Sequence, residues 1–101
     1  MQIVVYDTEF TAWPGSLQRR WSEPWEHREV IQIAAIKVDV TKNGCEQIDT
    51  YSTFVKPCIN PILSEYVIEL TGITQNNIDQ LGVSFPAAMK QFAAFCQTTD
   101  I

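Results

Sequence analysis

The stretch from Val30 to about Lys56 leaves this chain few choices of fold. Val30 to Val40 is dense in β-branched residues. Ile31, Ile33 and Ala35 alternate on one face, then Ile36, Val38 and Val40 on the other. That change of phase predicts a bulge, or a strand covered on both sides. Thr41-Lys-Asn-Gly44 follows, and Asn43-Gly44 signals a hairpin because both residues tolerate positive φ. A return strand is expected from about Gln47 to Lys56. Upstream, Met1-Gln-Ile-Val-Val-Tyr6 is a further β-prone run ended by Asp7, and its apolar content predicts a buried strand. The first half should therefore be an antiparallel three-stranded unit.

The second half carries helical signals. Asn60 is read as a cap with Pro61 at the first helical position, and Ile62, Leu63, Tyr66, Val67 and Leu70 as one apolar stripe. Gly72 suits a left-handed helix end. Thr74 can cap a short helix through Asp79, and Ser84 a further one whose stripe is Phe85, Ala88, Met89, Phe92, Phe95 and Cys96. Between the first two strands, residues 10–26 hold Pro14-Gly15, Pro24 and three tryptophans, Trp13, Trp21 and Trp25. Such a loop is too aromatic for plain disorder. At least one tryptophan is expected to pin it to the domain. The others, with Arg19 and Arg20, are candidates for a stacking and phosphate surface for single-stranded nucleic acid, or for a solvated pair of charges. Glu23, Glu26 and Glu29 read as a hydrated acidic rim, and His27 as a loop or strand-edge residue.

At 101 residues, the chain is one small domain or part of a larger one. It is 46% hydrophobic, which excludes long disorder, and its longest apolar run falls well short of a bilayer span. Twelve acids against seven bases give a formal net charge of −5, so a passive phosphate-binding surface is not expected. No secretory signal is visible, and Cys45, Cys58 and Cys96 are widely spaced with no C-x-x-C pair. An intracellular, cytoplasmic protein with buried or half-buried cysteines is expected.

Asp7-Thr8-Glu9 carries the chemistry. Carboxylates at i and i+2 of an extended chain share a side, and they repel unless a hard cation lies between them or one holds a proton. Magnesium and manganese take such oxygen ligands. Alone, the tripeptide reads first as a solvated strand end whose acids cap the following loop, because D-x-E is common, and a glycosidase-like acid pair is a third reading.

The wider sequence is similar to a known family. Val4-Val-Tyr-Asp7-Thr-Glu9-Phe10-Thr11 resembles the first exonuclease motif of the DEDD superfamily, which has the RNase H-like fold. Arg28-Glu-Val-Ile-Gln-Ile-Ala-Ala-Ile-Lys-Val38 resembles that family's second strand. Phe54-Val-Lys-Pro57 with Asn60-Pro-Ile-Leu-Ser64 resembles its third strand and the approach to its first helix. Leu70-Thr-Gly-Ile-Thr74 resembles the segment flanking the scissile nucleotide. The pattern is that of DEDDh exonucleases of the histone-mRNA and small-RNA processing type.

The resemblance implies an α/β, RNase H-like fold, here cut down to a three-stranded antiparallel sheet followed by helices. It implies a metal-dependent 3′–5′ exonuclease that acts on single-stranded RNA or DNA 3′ ends and releases nucleoside monophosphates. Asp7 and Glu9 would be the first two of four acids holding two Mg²⁺ or Mn²⁺ ions, with a histidine as general base. Thr8, Phe10 and Thr11 would lie at the nucleotide, and Thr71, Gly72 and Ile73 would contact or wedge the terminal base and sugar. The second acid motif and the histidine–aspartate motif are not found in residues 1–101. Asp100 precedes the strand that should bear the next acid, and His27 lies in the wrong element to be the base. Residues 1–101 are therefore expected to be the N-terminal portion of one exonuclease domain, inactive or nearly so alone, with an unpaired first-strand edge open to self-association. The alternatives are a non-catalytic fragment that binds nucleic acid or a partner chain, and a structural α+β domain in which D-x-E is incidental.

Overall fold

A computed structural model describes residues 1–97 of the chain. Its elements in order are β1 (Gln2–Phe10), α1 (Ser16–Arg19), β2 (Val30–Thr41), β3 (Gly44–Phe54), α2 (Glu65–Thr71), α3 (Gln75–Leu81) and α4 (Phe85–Cys96). The three strands form one antiparallel sheet in the order β1-β2-β3, as the hairpin signals require. The turn sits one residue earlier than expected. Lys42 and Asn43 make the bend, Thr41 pairs with Gly44, and Gly44 alone takes positive φ, at 124°.

The sheet carries two bulges, but neither inserts a residue in β2 at the phase change between Ala35 and Ile36, where pairing with both neighbours stays regular. One lies where Lys37 pairs with Asp49 and Val38 with Gln47, leaving Ile48 over. A second lies where Glu9 pairs with Gln32 and Phe10 with Val30, leaving Ile31 over. Ile31 is fully buried among Ala12, Leu63, Val67, Ile73 and Ile78, the core between the sheet end and α2–α3. A smaller cluster of Ile33, Val55 and Ala88 holds α4 to the same face of the sheet. Phe92 reaches Tyr6 and Tyr51 at 5.2 and 6.2 Å between ring centroids, and the Tyr51 hydroxyl donates to Gln91 at 3.0 Å.

β1 differs from expectation in two ways. It does not end at Asp7: Asp7 pairs with Ala34, Thr8 with Ile33 and Glu9 with Gln32, so the acids belong to the ladder. Nor is it buried, because it is the edge strand and α4 covers one face only. Val5 and Tyr6 stay 55% and 61% exposed. The spread shape follows, with a radius of gyration of 16.0 Å against about 13 Å for a compact domain of this length.

The first long helix also starts later than the Asn60-Pro61 signal suggests. Ser64 is its cap, accepting the Val67 N–H at 3.1 Å, because residues 58–60 are held as a loop by Glu29. Only Leu63 and Val67 of the expected stripe are buried; Ile62, Tyr66 and Leu70 are exposed. Gly72 ends α2 at φ 78° as expected, its N–H donating to the Ile68 carbonyl. Thr74 caps α3 in a reciprocal box with Asn77, and Ser84 caps α4. Within the α4 stripe Ala88 is buried and Phe92 and Phe95 are half-buried, whereas Phe85, Met89 and Cys96 are exposed. All three cysteines are exposed rather than buried, since Cys45 and Cys58 fall in or beside turns and Cys96 on the outer side of α4.

Candidate active site

Asp7 and Glu9 lie two residues apart on one extended strand, on one face of the sheet, their Cα atoms about 7 Å apart by strand geometry. Asp7 is exposed and its Oδ1 accepts the Thr8 N–H at 2.9 Å. Glu9 is half-buried. Neither carboxylate has a basic partner among the described residues. Two like charges on one face without a counter-charge form the donor set a hard divalent cation takes. Among the described residues no third His, Cys, Asp or Glu joins them, so the fit is to part of a metal site. Asp100 lies outside the described residues.

Glu9 also borders a cavity of about 230 Å³, lined by Phe10, Ala12 and Ser16, by Leu17 and Trp21 of the following loop, and by Tyr66, Leu70 and Thr71 of α2. The exposed apolar side chains of α2 that looked misplaced in a core stripe, Tyr66 and Leu70, belong to this wall. The cavity is thus a largely apolar slot beside Glu9.

The slot is built by the loop between β1 and β2. Glu26 is 3% exposed, so the expected acidic rim does not include it. Arg19 binds it through Nε at 2.7 Å and Nη2 at 2.9 Å, Ser16 Oγ donates to it at 2.5 Å, and the Glu23 N–H adds a longer bond. The hydrogen bond from Arg19, foremost, pulls the Glu26 carboxyl from its ordinary 4.5 to about 2. Arg19 is thereby committed and is not a free phosphate ligand. Arg20 and Trp21 adopt left-handed φ of 55° and 54°, which turns the Trp21 ring inward. Its Nε1 donates to the Thr11 carbonyl at 2.9 Å, and it meets the Phe10 ring edge-on at 5.5 Å. The Arg28 guanidinium lies over both rings, at 4.5 and 5.1 Å. Trp21 is therefore the pinning tryptophan, while Trp13 and Trp25 pack edge-on against each other.

The site residues expected from sequence thus divide. Asp7 and Glu9 share a face, and Glu9, Phe10 and Thr71 meet at the cavity. Gly72 is exposed next to Thr71. Thr8 lies on the opposite face of the strand from the acids, opposite Ile33. Thr11 and Ile73 are 2% and 4% exposed. Thr11 Oγ donates to the His27 carbonyl and accepts the Glu29 N–H, fastening the loop; Ile73 fills the core. Sequence reasoning missed Leu17, Tyr66 and Leu70 as cavity walls, and Glu29 as a loop anchor. The signal for Tyr66 and Leu70 was present, in a helical stripe too wide for the core it faces.

The RNase_T family of exonucleases matches residues 4–101. ERI1 exoribonuclease 2 of Homo sapiens is 34% identical over 91 residues, covering 89% of this chain and 12% of its own. The 3′-5′ exoribonuclease 1 of Homo sapiens is 44% identical over 63 residues, covering 62% of this chain and 17% of its own. The chain thus spans a small part of these relatives. Among solved structures, the nuclease domain of 3′hExo, a DEDDh family member bound to rAMP, superposes with a TM-score of 0.74 at 29% identity, covering 93% of this chain and 42% of that one. A 3′-exonuclease recognising a histone mRNA stem-loop gives 0.76 at 30% identity, covering 93% and 38%. The sheet and helices are accordingly the front part of an RNase H-like architecture, and the chain belongs to the RNase_T exonuclease family.

Proposed function

We propose that residues 1–101 are the N-terminal portion of a metal-dependent 3′–5′ exonuclease domain, contributing two acid ligands and one wall of the terminal-nucleotide pocket. The observation that carries this reading is the meeting of Glu9, in line with Asp7 on β1, with the cavity of Phe10, Trp21, Tyr66, Leu70 and Thr71. Asp7 and Glu9 would hold Mg²⁺ or Mn²⁺, two ions in the complete domain. Such ions lower the pKa of bound water and offset charge on the phosphate and the leaving 3′ oxygen. Phe10 and Leu70 offer the base an apolar slot, Thr71 a hydroxyl and exposed Gly72 a backbone free of side chain. Thr11 and Ile73 act from within, one fastening the loop and the other seating α2. Thr8 fixes the strand between the two acids.

The substrate is a single-stranded 3′ end, with release of nucleoside monophosphates. The names of the exoribonuclease relatives favour RNA over DNA. A general base is not supplied by His27, whose ring makes no hydrogen bond among the described residues while its carbonyl is held by Thr11. The edge position of β1 and exposed Val5 and Tyr6 support self-association through this strand. The dispersed cysteines support a cytoplasmic location.

A second reading, a non-catalytic segment that binds nucleic acid or a partner chain, is favoured by the two-acid donor set. The test is hydrolysis of 5′-labelled single-stranded RNA and DNA of one sequence, with Mn²⁺ present. Stepwise shortening by a chain that includes residues 1–101, lost in Asp7→Asn, supports the enzyme. Binding without shortening by every length of chain supports the second reading.

A further inference from the structure

A larger cavity, of about 400 Å³, shares Arg28 with the Phe10–Trp21–Arg28 stack and has none of the residues that line the cavity at Glu9. It is lined by Arg28 and Lys56, by Val30, Pro57, Phe85 and Pro86, and by Glu29 and Cys58. Neither Arg28 nor Lys56 has a carboxylate partner among the described residues. The one acid in the wall, Glu29, is engaged by the backbone N–H groups of Cys58, Ile59 and Asn60. Phe85 and Pro86 are the first two residues of the 12-residue α4, whose positive end adds to the two cations. Phe85 is 45% exposed and presents an aromatic face. In a chain of net charge −5, Lys56 and the stacked Arg28 set two cations against the single acid Glu29 in one wall beside an exposed ring.

We infer that this cavity binds a second nucleotide, its phosphate at Lys56 and Arg28 and its base against Phe85 and Pro86. Lys56 gives the phosphate a point charge, and an aromatic–proline wall accepts any base by stacking. The choice of nucleotide among anions rests on the nuclease reading; the cation and aromatic placement does not. A free mononucleotide and an upstream unit of a bound strand share this chemistry.

The test uses amide NMR shifts of the 101-residue protein in EDTA, titrated separately with adenosine 5′-monophosphate, a short oligoadenylate and inorganic phosphate. Saturable shifts are expected at Lys56, Cys58, Phe85 and Ala87 with a nucleotide, and weaker ones with phosphate alone. Lys56→Glu should weaken them about tenfold, as loss and reversal of a charge-assisted contact. Lys56→Gln, which removes the charge without reversing it, should weaken them less. Response to the monophosphate identifies a free nucleotide; response to the oligoadenylate only identifies an upstream unit. No shift in this cluster at millimolar nucleotide, or shifts indifferent to both variants, overturns the inference. Shifts confined to Glu9, Phe10 and Thr71 would overturn it while leaving the terminal-nucleotide reading intact.

Discussion

Glu29 accepts the backbone N–H of Asn60 at 3.0 Å, joining the start of β2 to the segment that leads into α2. The same carboxylate takes the N–H groups of Cys58 and Ile59, and the Asn60 side chain donates to the Trp25 carbonyl. One side chain thus closes a loop of backbone donors that would otherwise turn to water. Glu29→Ala should cost about 1–3 kcal/mol, the range for groups deprived of a charged acceptor. Glu29→Gln, which retains one oxygen, should cost less. Urea unfolding midpoints of the two variants check both values.

Glu26 makes stability depend on acid. Its carboxyl titrates near 2 in the folded chain against an ordinary 4.5, chiefly through the Arg19 hydrogen bond. A depressed folded value means the ionised form favours folding, so the contribution is complete above about 4.5 and disappears as pH falls through 2. Glu26→Gln should flatten the acid limb of the stability curve between these values. Tryptophan fluorescence against pH, read with a fixed urea concentration, reports it.

Gly72 holds φ at 78°, and a Cβ there would meet no atom within 4 Å. Gly72→Ala should therefore cost only the backbone term, about 1–2 kcal/mol, with no clash. A thermal midpoint lowered by several degrees, with an unchanged near-ultraviolet spectrum, is the expected result.

Asp7→Asn and Glu9→Gln should each weaken Mn²⁺ binding at least about tenfold, since each removes one of two anionic donors. Electron paramagnetic resonance of free Mn²⁺ measures this on the 101-residue protein without a turnover assay. Equal affinity in the double variant would mean that the ion sits elsewhere.

Val5→Lys places a charge on the exposed edge strand, where Val5 is 55% exposed. Sedimentation should show a concentration-dependent dimer in the parent chain and a monomer in the variant. A monomer in both would remove the edge-pairing reading.

Local signals of one residue type were legible in the sequence, and those that needed a distant partner were not. Gly72, Thr74 and Ser84 mark helix ends because their chemistry is spent within a few residues. Asn60 misled because its apparent cap role was displaced by Glu29, 31 residues away. Glu26 looked like a surface acid because Ser16 and Arg19 are unremarkable until the loop folds over them. Asp7 and Glu9 were legible as a pair, since strand parity alone puts them on one face. Leu17 was not, because the four-residue α1 is too short for a periodic pattern to carry the information.

The extra residue in β2, Ile31, sits opposite the joint between Glu9 and Phe10. A straight ladder would tie the acid and the ring to alternate sides of one rigid ribbon. With the irregularity placed between them, the ring's heading is set by the hydrophobic anchor of its neighbour strand, while the carboxylates inherit theirs from the pleat. A change in the hydrophobic anchor would then redirect the ring while leaving the two carboxylates where they are.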